Sequence, residues 1–202
     1  MSEWSPMSAQ KEAAVIVDGL RHDSTDRLDL RALTPDDVDA MHAQNADPTV
    51  WTHFPQGRHA TRQRTLADVE SAITAWQRDG LCYWAARLHN SPDLAGFVGI
   101  RLLPDIPAWN LAFRFAPRFQ VLGLARETAR AGIDAAQALR PEVPVLAYLL
   151  EHNTASKRLT ERLGLQLKWR GPDVGNLDPD AIRLIYADRP VDDEVLARVA
   201  AR

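Results

Sequence analysis

Polar and apolar residues alternate along Arg27-Leu28-Asp29-Leu30-Arg31-Ala32-Leu33, the period of a half-buried strand. Thr34-Pro35-Asp36-Asp37 then announces a helix: Thr34 can cap it, Pro35 suits its first position, and the aspartates favour the positive end of its dipole. A second helix follows, in which Leu66, Val69, Ile73 and Trp76 recur every three or four residues and Gly80 occupies the C-terminal cap. Residues 81–88 and 94–103 predict two strands joined by the turn-forming His89-Asn90-Ser91-Pro92-Asp93. Trp109, Leu111, Phe113 and Phe115 alternate with smaller or polar neighbours and predict a third strand, which Pro117 ends.

Beyond Pro117 the pattern becomes strand and helix in turn. Leu124–Leu139 is an alanine-rich helix, and 144–150 a continuously apolar strand of the buried type. Residues 153–163 form a helix stopped by Gly164, 165–170 an alternating strand, 171–179 a loop rich in Gly, Pro, Asp and Asn, and Ile182–Ala187 a last strand. The order β-α-α-β-β-β-α-β-α-β-β predicts an α/β (α+β) fold: a mixed, twisted sheet of about seven strands flanked by helices, antiparallel in its first half. Its fourth and fifth strands, 109–115 and 144–150, should run parallel and diverge at one end. Residues 1–26 carry little periodicity and are expected to be an arm, with a short strand around 13–17; 27–190 is the domain and 191–202 a tail, where Asp192-Asp193-Glu194 begins a surface helix.

Composition narrows the partners. The chain has 202 residues, 46% hydrophobic and 25% charged, an ordinary balance for one soluble domain. With 24 basic against 27 acidic residues it lacks the excess positive charge that non-specific nucleic-acid binding requires. No segment has the pattern of a signal peptide or of a membrane-spanning helix, so neither nucleic acid nor membrane is an expected partner. Cys82 is the only cysteine, which excludes an intramolecular disulfide and fits a cytoplasmic location. It stands in an apolar strand as a core residue. The six histidines lack His-x-x-x-His spacing, and no metal site is expected.

Two stretches carry chemistry. The first is Pro117-Arg118-Phe119-Gln120-Val121-Leu122-Gly123-Leu124-Ala125-Arg126-Glu127, between a strand and a helix. Gly123 supplies conformational freedom, Ala125 allows close approach to the backbone, and the first helical amides lack internal partners. With Arg118, Arg126 and Arg130 nearby, a phosphate-bearing ligand suits this turn; a plain strand-to-helix connection would use the same residues. Walker and Gly-x-Gly-x-x-Gly patterns are absent. The second stretch opens Glu151-His152-Asn153-Thr154-Ala155-Ser156: Asn153 is an N-cap, and Ser156 can face a cleft where the preceding strand ends.

Gln120-x-x-Gly123-x-Ala125 resembles the Arg/Gln-x-x-Gly-x-Gly/Ala loop of the GNAT superfamily of N-acetyltransferases. Asn153-x-x-Ser156-x-x-Leu159 with Leu163-Gly164-Leu165 is similar to a stretch of the branch that acetylates ribosomal-protein N termini. The opening Thr-Pro-Asp-Asp and Gly96-Phe97-Val98-Gly99-Ile100 fit too, so the resemblance spans about 27–189. It implies acetyl-CoA as co-substrate, with the pyrophosphate on the loop of Gln120, Val121, Leu122, Gly123, Leu124, Ala125 and Arg126. The pantetheine arm would pair with Phe113, Arg114 and Phe115, and Asn153 and Ser156 would lie near the thioester. Two positions depart from the family: Val121 stands where Gly is usual, and Asn110 where this branch often has Glu.

The implied activity is transfer of acetyl to a primary amine, on a small molecule or a protein N terminus, by a monomer or a homodimer. Thiol departure points to Ser156 as the proton donor. Asn110 cannot act as a base, which leaves Glu151 as the nearest ionisable group in the sequence, followed by His152, with a water held by Asn110 as a further alternative. A non-catalytic acyl-CoA-binding sensor with the same fold is the alternative, and a third reading keeps the enzyme but changes its acyl donor. Trp51-Thr52-His53-Phe54-Pro55 borders the acceptor site in the family, or is an aromatic plug on the core.

Overall fold

The alternation that opens the domain forms a strand whose Leu28, Leu30 and Ala32 are buried while Asp29 is exposed. The structure, a computed structural model, describes residues 17–202. Residues 17–20 are helical; the strand expected around 13–17 lies almost wholly outside the described residues. The elements are β1 (His22–Ser24), β2 (Leu28–Ala32), α1 (Val38–Ala46), α2 (Arg62–Asp79), β3 (Tyr83–Leu88), β4 (Leu94–Leu102) and β5 (Trp109–Phe115). Then follow α3 (Leu124–Leu139), β6 (Val145–Leu150), α4 (Thr154–Arg162), β7 (Gln166–Pro172), β8 (Ile182–Ala187) and α5 (Asp193–Ala200).

All eight strands form one mixed sheet in the order β1-β2-β3-β4-β5-β6-β8-β7. Every neighbouring pair is antiparallel except β5 and β6. The eighth strand is β1, upstream of the alternating pattern; its three residues are too few to show a period. Gly171 and Pro172, expected in a loop, end β7 instead. β7 is the outermost strand of the sheet, where a proline's missing donor costs no ladder bond.

Local signals act as their chemistry dictates. Pro35–Asp37 makes a 3-10 turn before α1, and the buried Asp37 carboxylate accepts from the Thr34 amide at 2.8 Å. The same carboxylate bridges Arg31 and Arg87, at 2.9 and 2.7 Å, which ties α1 to β2 and β3. Gly80 ends α2 at φ 79°, its amide donating to Trp76 O.

The helices lie on both faces of the sheet. Consecutive residues of β4 show it: the space beside Ile100 admits Gly132 of α3, whereas Arg101 reaches Ser71 of α2 at 2.8 Å. α3 and α4 share a face, where Arg130 donates to Leu163 O. The main core runs between these layers through Trp76, Trp84, Val98, Ile100, Leu124 and Ile133. A second, smaller core seats α5: Leu196, Val199 and Ala200 pack on Leu146, Ile185 and Ala187 of β6 and β8. The acidic tail therefore begins a helix as expected, with one face buried rather than wholly at the surface. No helix among the described residues is long and apolar enough to cross a membrane.

Candidate active site

The strands around β5 part where the sequence pattern changes. β4 and β5 pair from Leu102↔Trp109 to Gly96↔Phe115, but β5 and β6 pair only at Trp109↔Val145 and Asn110↔Leu146. Trp109 donates its amide to Pro144 O at 2.9 Å, so odd-numbered residues of β5 turn their backbone groups toward β6. Phe113 and the Phe115 amide are thus left with that edge open. The gap is a cleft of about 340 Å³, walled by Leu111 and Phe113 from one face of the sheet and by Asn110, Ala112 and Arg114 from the other. It passes through the sheet, from the α4 side to the side of the α1–α2 segment.

The loop after β5 borders this opening. Gln120 donates its side-chain amide to Phe115 O at 3.0 Å, closing the turn. Gly123 at φ 80° starts α3, and Val121 sits at φ 58°, fully exposed. A β-branched residue is strained in that conformation, which accounts physically for the glycine usual at this place. Among the described residues, the amides of Val121, Leu122, Gly123, Leu124 and Ala125 have no hydrogen-bond acceptor. A Cβ on Gly123 would meet only Arg27 Nη2, at 3.5 Å, so the cradle is open on its outer side. Arg27 braces the loop from β2's end, donating to Leu122 O at 2.9 Å and pairing with Glu127 of α3 at 2.6 Å. Of the arginines nearby, Arg118 pairs with Asp93 and Arg130 is bound to Leu163 O, leaving Arg126 exposed to solvent. Free amides, a helix N-terminus and a solvent-facing arginine fit a diphosphate.

At the other end of the cleft, Asn153 caps α4 by accepting from the Ser156 amide at 3.1 Å. Ser156 lines the cleft, with its hydroxyl unengaged among the described residues. Asn110 stands buried where the strands part, and its Oδ1 accepts no hydrogen bond there. Tyr83, Tyr148, Trp51, His53 and Phe54 complete the walls of the cleft. His53 is held below the usual histidine pKa, first by burial and then by the charges of Arg114 and His152; it is therefore neutral at pH 7.

Two expectations need correction. Glu151 does not line the cleft: Arg170 binds it through both oxygens, at 2.7 and 2.8 Å, and that pairing lowers its pKa. Bound this way it is a poor proton acceptor for a group in the cleft. Arg114 does not present its backbone to the open edge; its carbonyl faces away and accepts from Gln44 at 2.9 Å, while its side chain lines the cleft. His53 was legible only as part of an aromatic segment, because no spacing ties it to Asn110 or Ser156. Cys82 is fully buried and its thiol is pushed up to about 12 by burial, which suits a core residue and not a nucleophile.

Residues 27–166 match the acetyltransferase (GNAT) domain, and the chain belongs to that family. Solved structures agree on the fold. An acetyltransferase of the GNAT family from Bacillus anthracis is 20% identical with a TM-score of 0.71, over 82% of this chain and 96% of that one. The ribosomal L7/L12 α-N-protein acetyltransferase RimL in complex with coenzyme A is 21% identical with a TM-score of 0.68, over 84% and 97%. The microcin C7 self-immunity acetyltransferase MccE in complex with acetyl-CoA and AMP is 12% identical with a TM-score of 0.65, over 80% and 92%.

Proposed function

We propose that this protein transfers acetyl from acetyl-CoA to a primary amine by direct acyl transfer. The observation that carries this reading is the open edge of β5 at Phe113 and the Phe115 amide beside a loop of unpartnered amides. Such an edge accepts an amide-bearing chain as an added strand, as the pantetheine arm is, and the loop from Gln120 to Arg126 receives a diphosphate. The thioester of the co-substrate supplies an activated acyl carbon. The chain's own part is to hold the two reactants together, to exclude water between β5 and β6, and to move one proton off nitrogen.

His53 fits the role of proton acceptor, because it is neutral and lines the acceptor wall. An imidazole below its usual pKa is a weak base, better matched to an α-amine near ~8 than to a lysine-like amine near ~10.4. Asn110 Oδ1 is a free acceptor that orients an N–H without removing its proton. Ser156, on the Asn153-capped turn and lining the cleft, fits the role of proton donor to the departing sulfur. One proton leaves nitrogen and one is taken up at sulfur, so the transfer is proton-neutral when the product is the free thiol. Protein N termini and small amines both remain within this acceptor class.

Calorimetric titration with acetyl-CoA, followed by free-thiol release across a panel of amines, tests the reading. Saturable binding with amine-dependent thiol release is expected. Failure to bind acetyl-CoA overturns it; binding without turnover on any amine moves the protein to the sensor reading that Asn110 favours. Competition by longer acyl-CoAs reads the acyl preference.

A further inference from the structure

Two arginines enter the acceptor side of the cleft, and only one is neutralised. Arg183 pairs with Asp173, which lines the same cleft. Arg114 is largely buried, yet no carboxylate among the described residues lies within ion-pair distance of it. Asp68, the carboxylate whose field acts on it, is engaged by His59 at 3.3 Å and Arg64 at 3.6 Å. A buried charge is costly unless paired, so an arginine without a counter-ion in a substrate cleft marks a place where the substrate supplies one.

The guanidinium is held as a fixed donor. Its central carbon lies 3.6 Å from the Trp51 ring centroid and 5.1 Å from that of Phe97, and it donates to Asn45 Oδ1 at 3.3 Å. Both partners are locked in turn. Asn45 is buried on α1, and its carbonyl accepts from Trp51 Nε1 at 2.7 Å. Gly57 lets the Trp51 ring lie flat, since a Cβ there would stand 2.2 Å from it. Burial pushes the guanidinium pKa down to about 10, which still leaves it charged at neutral pH. Among the described residues its side chain makes a single N–H bond, to Asn45, and it lines the cleft, so further donors of its fork are left for a ligand.

We propose that Arg114 is the acceptor-recognition residue and that it selects amines carrying a carboxylate a few bonds from the reacting nitrogen. The inference rests on the acyl-transfer reading above. Charge count favours a monoanion: with Arg183 cancelled by Asp173 and His53 neutral, the cleft wall has one uncompensated positive charge. A carboxylate matches the guanidinium fork in charge and in geometry. The same fixed charge repels a protonated amine and lowers the pKa of an ammonium brought near it, as it does for His53. An acceptor with its own carboxylate offsets that repulsion and keeps the nitrogen nucleophilic. This carboxylate can belong to a free amino acid or to an acidic residue beside a peptide N terminus.

The test compares matched acceptors in thiol release with acetyl-CoA, rates being corrected for the fraction of neutral amine. Alanine against alaninamide reads the free amino acid; Ala-Asp-Ala-Ala against Ala-Asn-Ala-Ala, both amidated, reads the peptide. The acid member of at least one pair should be preferred by about ten- to a hundredfold in kcat/KM, through KM more than kcat. Arg114→Gln should abolish the preference, and Arg114→Lys should restore part of it, with circular dichroism checking the fold of each. Calorimetric binding of N-acetylalanine against N-acetylalaninamide, and of the two N-acetylated peptides, gives the same comparison without turnover. Equal handling of acid and amide by the wild-type protein in both pairs overturns the inference, as does a preference that survives Arg114→Gln. A protein that fails to bind acetyl-CoA overturns the functional reading instead, so the two failures are distinct.

Discussion

Strand β5 is paired along its whole length with β4 and for two residues with β6. On the β4 side the backbone is satisfied and glycines admit close approach. A Cβ on Gly96 would lie 2.3 Å from Arg114 O and 2.8 Å from Phe115 Cα. On the β6 side the same strand leaves its edge to a ligand. Stability is concentrated where the ladder is complete, and chemistry where it stops, so substitutions on the two sides should differ in kind.

The largest effect is expected on the closed side. Gly96→Val forces backbone apart within the ladder and should cost about 3 kcal/mol or more, read as a lowered urea midpoint with the fold compromised. On the open side the fold should survive. Ser156→Ala should lower kcat by roughly ten- to a thousandfold with donor affinity kept, as the proposed role of its hydroxyl at the departing sulfur requires. Retention of full kcat wherever the chemical step limits turnover would reduce Ser156 to a helix-turn residue.

His53→Gln should lower kcat at neutral pH by about tenfold or more and move activity to alkaline pH, where solvent deprotonates the amine. The sign follows from the lowered pKa of His53. Corrected for the fraction of neutral amine, wild-type activity persists into mildly acidic solution and declines only as pH falls through that lowered value, below the usual ~6.5. Glu151→Gln, by contrast, removes a carboxylate already bound by Arg170 and should leave the pH profile in place.

Smaller effects separate the loop from the strand edge. Gly123→Val should weaken acetyl-CoA binding by about 1–2 kcal/mol, since φ 80° suits a β-branched residue poorly and the added carbons crowd the phosphate cradle. Arg126→Ala should cost less, its charge being exposed and screened. Smallest is Val121→Gly, which relieves the strain at φ 58° against a more flexible unfolded chain and should raise stability by about 0.5–1 kcal/mol in thermal denaturation. If it lowers stability, the loop is not strained at this residue.

The sequence by itself determined the elements and their local chemistry. The period-2 run at Leu28–Ala32, the three-and-four spacing before Gly80, the Gly123 turn and the Asn153 cap each arise from residues within a few positions of one another. They appear in the structure where those patterns place them. Tertiary structure decided the rest. His53, Asn110, Arg114, Ser156 and Arg183 meet in one cleft though they come from four separate segments, and Arg170 removes Glu151 from it. Periodicity reports which face of an element is apolar, but it carries no information on where two strands cease to pair. That is set by the divergence of β6 from β5 after Asn110, and by how the α1–α2 segment packs Trp51 against Arg114 across the opening.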